Sequence, residues 1–330
     1  MLFRLTRRAA LVGSASAVVS PQRVRAAERR VRLAQNNTAS SPSGLACKTF
    51  AASVAADPLL QNTLHIAVYH EGAMGDEVAS VQGCLEGSID MAMISGAAVS
   101  NFAPVIGVLD IPFLFKGTQA ARSALDGEVG AELAEAARSH GVNVLAWGEN
   151  GVRHITANRP IRGPADLSGL KLRVPQSDVE VTGFRALGAD PRPIPAQKIY
   201  EALRNGEVEA QENAFSVIED YRLFEVQKFL CLTGHIYSAF PMLASQDLLD
   251  DLSENQRIAL KACAQKAAAA SRQAVNSVAL NAITRLRAFG MTVIEDVDTP
   301  AFFAAAKPNL AAMSQKFGAE LITRLQQSGA

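Results

Sequence analysis

Residues 253–289 contain neither glycine nor proline and are rich in alanine. With no residue to break or kink it, such a run forms one continuous helix. Ser253-Glu-Asn-Gln256 has the form of a capping box at its start, and Gly290 supplies a C-cap just past its end. At 1.5 Å per residue this helix spans on the order of 50 Å. That is more than one small domain needs, so we expect it to run across two.

The rest of the chain alternates short strands with helical stretches, the pattern of α/β folds with parallel sheets. Strands are expected at 31–35, 64–69, 89–94 and 143–147. Between them lie a helix from Ser41-Pro42 to about residue 56, another over 75–86, and a pair over 118–125 and 127–139. Ser41 is placed as an N-cap with Pro42 in the first turn. A second α/β unit starts near Gly151, with a strand over 171–174, helices over 179–187 and 198–205, and strands near 208–211 and 228–232. The apolar stretch 240–245 returns to the first sheet. No repeat period or low-complexity tract is present.

The first 26 residues read as an export signal. Thr6-Arg7-Arg8 precedes a short apolar run over 9–19, and Val24-Arg25-Ala26 offers a cleavage region. The run is too short to span a bilayer. The paired arginines fit the twin-arginine route, and an ordinary Sec signal fits as well. Removing the five arginines of this segment leaves 27 basic residues against 32 acidic ones, a net charge of −5. That balance argues against a nucleic-acid surface or a polybasic membrane anchor. Roughly 300 remaining residues exceed one usual core and suggest two domains. Cys47, Cys84, Cys231 and Cys263 show no zinc or disulfide-scaffold spacing. They fit small buried hydrophobes, with a Cys47–Cys84 bridge as the alternative.

The chain lacks a G-x-G-x-x-G or G-x-x-x-x-G-K phosphate loop, a G-x-S-x-G elbow and an H-E-x-x-H motif. The histidines have no metal-ligand spacing, so neither cofactor nor metal is expected. The positive signal is Arg173, in Gly169-Leu-Lys-Leu-Arg-Val-Pro175. It stands at the carboxyl end of a short strand, where open α/β sheets collect ligands. A guanidinium there meets a carboxylate with two parallel hydrogen bonds, although pairing with an internal Asp or Glu satisfies it equally well. Arg153, in Gly151-Val-Arg-His-Ile-Thr156, and Gln211-Glu-Asn213 are candidates to stand near it. Glu212 is suited to orienting an arginine or forming an ion pair between segments.

These segments together make the chain resemble the solute-binding proteins of tripartite ATP-independent periplasmic (TRAP) transporters, from about Val31 to the C-terminus. The resemblance rests on Gly75-Asp-Glu followed by Leu85-Glu-Gly-Ser-Ile-Asp-Met91, and on Gly107-Val-Leu-Asp-Ile-Pro-Phe-Leu-Phe115. It also rests on the Gly-x-Arg at 151–153, on Asp166-Leu-Ser-Gly-Leu-Lys-Leu-Arg-Val-Pro175, and on Tyr200-Glu-Ala-Leu203 leading into Gln211-Glu-Asn213. It implies a two-domain periplasmic binding protein of type II-like fold, with hinge strands and a long helix spanning both domains. Domain I would comprise 27–150 and 239–278, and domain II 151–238 and 279–330, with the ligand between them. Arg173 would be the main carboxylate contact, Arg153 a second anion contact, and Asn213 a contact from the facing strand. Asn36 would reach the ligand from the first domain, and Tyr237 would lie near the cleft. Many relatives carry an aromatic residue where this chain has Ala196, which implies a larger pocket here.

The resulting expectation is a periplasmic, monomeric protein, not an enzyme, that captures a small organic acid and delivers it to integral-membrane permease subunits. Ligand sensing for a signalling receptor uses the same chemistry. A secreted enzyme acting on an organic acid would need a nucleophile or a tuned acid/base pair, and no motif links Ser177, Asp178 and Glu212 into one.

Overall fold

A computed structural model describes residues 29–328; the expected export signal over 1–26 lies outside the described residues. The strands are β1 (Arg29–Ala34), β2 (Leu64–Tyr69), β3 (Met91–Met93), β4 (Asn143–Ala157), β5 (Lys171–Val174), β6 (Asp190–Pro193), β7 (Ala210–Ala214), β8 (Phe229–Ala244) and β9 (Thr292–Ile294). They form one sheet in the order β2-β1-β3-β8-β4-β7-β5-β6, with β9 beside β8. At one end β1 runs parallel to both β2 and β3; at the other β5 runs parallel to β6 and β7. Between them β4 and β8 form a long antiparallel ribbon that belongs to both halves.

The ribbon departs from the sequence expectation. The expected strand 143–147 runs on to Ala157, and 228–232 and 240–245 are joined through Gly234, His235 and Ser238 into another strand, Phe229–Ala244. Register shifts between Val144 and Ala146, Glu149 and Gly151, and Arg153 and Ile155 carry the pairing past the glycines. Gly151 sits at a bulge with φ +116°, a conformation that a side chain would strain. Gln211-Glu-Asn213 likewise lies within β7 rather than after it.

Each half buries apolar side chains on both faces of its sheet. In the first half, Met91, Met93, Ala146 and Phe240 face a core shared with Phe50 and Leu260. Ala92, Ile94, Trp147 and Tyr237 face the opposite core with Leu109 and Leu133. In the second half Leu172, Val174 and Cys231 pack with Phe184 and Phe302, while Leu230 packs with Ile199 and Leu286 on the other side. The strand alternation that produces this is the period-2 geometry of the pleat.

The long helix runs from Glu254 to Ala288, 35 residues, with the expected capping box at Ser253 and Gln256. Its buried residues Leu260, Cys263, Ala264 and Ala267 lie on the first half, and Leu286 lies on the second. The helix Pro42–Ala56 begins at Ser41, whose side chain accepts from the Gly44 N–H. Two C-terminal helices, Thr299–Phe317 and Ala319–Gln327, were not expected. Phe302 enters a second-half core, but Met313, Ile322 and Leu325 enter a first-half core, so the chain end crosses back. The four cysteines are free and buried. Cys47 and Cys84 lie in the cores on opposite faces of the first-half sheet, so they do not bridge.

Candidate ligand site

The parallel strands of the two halves aim their carboxyl ends, and the helices that follow them, toward a shared cleft. The halves meet across it. The Tyr221 hydroxyl donates to the Asn36 carbonyl (3.0 Å), and the Thr38 hydroxyl to Asp220 (3.1 Å). The Asn101 amide donates to the Gln176 carbonyl (2.7 Å), and the Ser177 hydroxyl to Asp110 (3.2 Å).

Arg173 lies at the cleft end of β5 and is only 2 % exposed. Its Nε and Nη2 both donate to the Ile194 carbonyl, at 2.8 and 2.6 Å. It forms no ion pair among the described residues, so the alternative of an internal carboxylate partner does not hold. Burial pulls its pKa down to about 10, against the raising effect of Glu212 and the further lowering effect of Arg153. A buried guanidinium fixed by a neutral carbonyl and without a carboxylate in direct contact is prepared for an anion.

Arg173 pairs in register with Gln211, so both side chains leave the same face. Gln211 Nε2 donates to the Thr156 hydroxyl (2.8 Å), and Asn213 Nδ2 donates to Gln211 Oε1 (3.1 Å). This chain of amides holds Asn213 on the Arg173 face, and no donor among the described residues reaches its Oδ1.

Glu212 points to the other face of β7. Its Oε1 accepts from Arg153 Nη2 (2.5 Å), its Oε2 from Arg153 Nε, and its backbone carbonyl from Arg153 Nη2 (2.9 Å). His235 Nε2 joins at 3.1 Å. Burial pushes the Glu212 carboxyl up, but Arg153 and His235 outweigh it and hold the pKa down to about 2. Arg153 and Glu212 therefore satisfy each other, and the pair supports the site from beneath. Next to it lie Glu180, whose Oε2 is buried without a partner, and Asp110 from the first half. Burial raises both carboxyls, Asp110 to about 7.

Two other candidates separate. Asn36, 2 % exposed, closes on the cleft after β1; its Nδ2 donates to the Gly75 carbonyl (3.1 Å) and its Oδ1 is buried without a partner. Tyr237 is not brought to Arg173. Its hydroxyl donates to Glu149 (3.0 Å), itself paired with Arg122, and its ring packs against Phe115.

The cleft also contains residues that the sequence did not single out. Glu77 opens the helix Glu77–Leu85, and its carboxylate accepts from the Ser95 N–H (3.3 Å) and hydroxyl (3.1 Å). Burial raises its pKa, while Ser95, Arg173 and Arg153 oppose the shift. The signal was present, since Gly75-Asp-Glu stood out as a motif without a role. Gln197 has no such signal; Ala196 beside it packs on the second-half core with Ile199. The larger surface hollows are elsewhere. One of about 580 Å³ lies at Lys48 and Lys266, one of about 400 Å³ along the β4 edge at Trp147, and one of about 320 Å³ under the long helix at Phe215; none of them is lined by Arg173.

A two-domain architecture with an unpaired arginine in the cleft defines a solute-binding protein of the periplasmic type. The pattern of bacterial extracellular solute-binding proteins, family 7, matches residues 33–316, and the chain belongs to that family. It is 36% identical over 240 residues to a 2,3-diketo-L-gulonate-binding periplasmic protein of Escherichia coli strain K12, covering 72% of this chain and 73% of that one. A TRAP periplasmic solute-binding protein from Polaromonas sp. JS666, bound to D-erythronate, superposes with a TM-score of 0.89 at 34% identity, over 92% of this chain and 100% of the other. A sugar acid binding protein from Advenella mimigardefordensis in complex with galactonate gives 0.85 at 29% identity, over 90% and 96%. Among the described residues no helix is long and apolar enough to cross a membrane.

Proposed function

We propose that the protein captures a small hydroxylated carboxylate between its domains in the periplasm and hands it to the integral-membrane subunits of a TRAP permease. Arg173 carries this reading: it is buried, oriented by Ile194, and has no carboxylate of its own. An incoming carboxylate supplies the missing charge, and Asn213 on the same face offers a second donor. The Arg153–Glu212 pair keeps the floor rigid and nearly neutral, so the attraction is concentrated at one guanidinium. Closure expels water and strengthens that contact. The moving parts are residues 27–150 with 239–278, to which the chain end bearing Met313, Ile322 and Leu325 returns, and residues 151–238 with the rest of 279–330; the segment 1–26 directs export. Support for a hydroxylated ligand comes from the sugar acids that the similar proteins hold.

Calorimetric titration of purified protein with D-erythronate, galactonate and succinate tests this. The hydroxylated monocarboxylates should bind and succinate should bind less well. Arg173→Ala should abolish measurable binding, a loss of roughly 2–5 kcal/mol, and Arg173→Lys should restore little because an ammonium cannot form the fork. Unchanged affinity in the alanine variant would overturn the assignment.

A further inference from the structure

We propose that Gln197 reads a hydroxyl group at the end of the ligand remote from its carboxylate, in concert with Asn36. This rests on the reading of Arg173 as the carboxylate anchor and names a residue that selects among acids held by that anchor.

Both Gln197 Nε2 and Oε1 are buried without any hydrogen-bond partner, and so is Asn36 Oδ1. Buried polar side-chain atoms are overwhelmingly partnered, and three orphans from two residues mark the place of a missing polar group. Gln197 belongs to the second half and Asn36 to the first, so the three atoms converge only when the halves are together. Gly72 makes the convergence possible. A Cβ there would lie 2.6 Å from Gln197 Nε2 and 3.4 Å from Asn36 Nδ2. The two amide nitrogens are therefore no more than 6.0 Å apart, as the sum of those distances requires. Both side-chain amides thus border the same glycine, and the inferred ligand hydroxyl sits between them. It would accept from Gln197 Nε2 and donate to Asn36 Oδ1.

The position relative to the anchor is also right. Ile194, whose carbonyl holds Arg173, is three residues before Gln197 on the same loop after β6. Gln197 thus shares one short loop with the carbonyl that orients the anchor, and Asn36 meets that loop across Gly72. A simple acid lacking the remote hydroxyl would leave all three atoms unpaired on closure, whereas a polyhydroxy acid would satisfy them. A site built to hydrogen-bond a hydroxyl rejects the analogue without it.

The test titrates D-erythronate and 2-hydroxybutanoate, which share four carbons and an α-hydroxyl, against wild type, Gln197→Leu, Asn36→Ala, the double variant and Arg173→Ala. Thermal melts confirm that each variant folds. Wild type should prefer erythronate. Gln197→Leu should weaken erythronate binding roughly tenfold to a hundredfold and leave 2-hydroxybutanoate unchanged or tighter. The double variant should lose little more than either single one, because both residues hold the same hydroxyl. If Gln197→Leu weakens both acids equally, or neither, the proposal is overturned. If Arg173→Ala abolishes binding while Gln197→Leu changes nothing, the anchor stands and only the hydroxyl reader falls. Failure of the wild type to bind either acid overturns both readings.

Discussion

Arg173 and Arg153 stand on neighbouring parts of one sheet and have opposite situations. Arg153 is saturated by Glu212 and fixed in place; Arg173 leans on a single carbonyl and keeps its charge unspent. Carboxylates crowd beneath them, and their burial has a measurable consequence. Asp110, pushed up to about 7, is raised above its ordinary value, so its contribution to stability is complete below about pH 4 and is lost as pH rises through 7. His154 is opposite in sign. Burial and nearby His235 pull its pKa down to about 3, so its contribution is present above about pH 6.5 and is lost as pH falls toward 3. Asp110→Asn should therefore gain stability relative to wild type as pH rises from 4 to 8. Urea denaturation across that range checks this; a constant difference between the two proteins would show that Asp110 is not buried as a proton-holding acid.

At the scale of elements, the long helix and the β4–β8 ribbon hold the halves together in different ways. The helix is stiff, alanine-rich and packed on both halves. The ribbon carries register shifts at Glu149/Gly151 and Arg153/Ile155, where it passes between them. The helix start depends on the Ser253–Gln256 capping box, and Gln256 Nε2 also donates to the Leu59 carbonyl (3.2 Å) and to Thr63 (3.1 Å). Ser253→Ala should cost about 1 kcal/mol, read as a lower urea midpoint with an unchanged m-value. The variant should bind ligand as the wild type does, since the cap is remote from Arg173.

For the whole molecule, the described arrangement is one with the halves in contact through a few polar bridges such as Tyr221–Asn36 and Ser177–Asp110. Individually these are worth about 1 kcal/mol each, small against the cost of burying Arg173 without an ion-pair partner and Glu180 Oε2 without a hydrogen bond. On the proposed function, a bound carboxylate tips the balance by satisfying Arg173 more fully in the closed state. Small-angle scattering should show a smaller radius of gyration with saturating D-erythronate than without it, and the melting temperature should rise with ligand concentration. An unchanged radius would argue for a preformed site.

The local devices were legible in the chain itself, because each depends on neighbours a few residues apart. The Ser253 cap, the uninterrupted helix to residue 288, the Ser41-Pro42 helix start and the strand bearing Arg173 all follow from propensity and periodicity. Pairing across the fold was not legible. That β4 and β8 are each one strand depends on the partner that carries them past Gly148, Gly151 and Gly234. That Arg153 meets Glu212, that Tyr237 turns to Glu149, and that Gln197 closes over Gly72 are encounters between segments distant in sequence. Local sequence sets which groups a segment can offer. Only the tertiary structure decides which buried charge finds a partner and which is left for a ligand, because that depends on what the fold brings within about 3 Å of it.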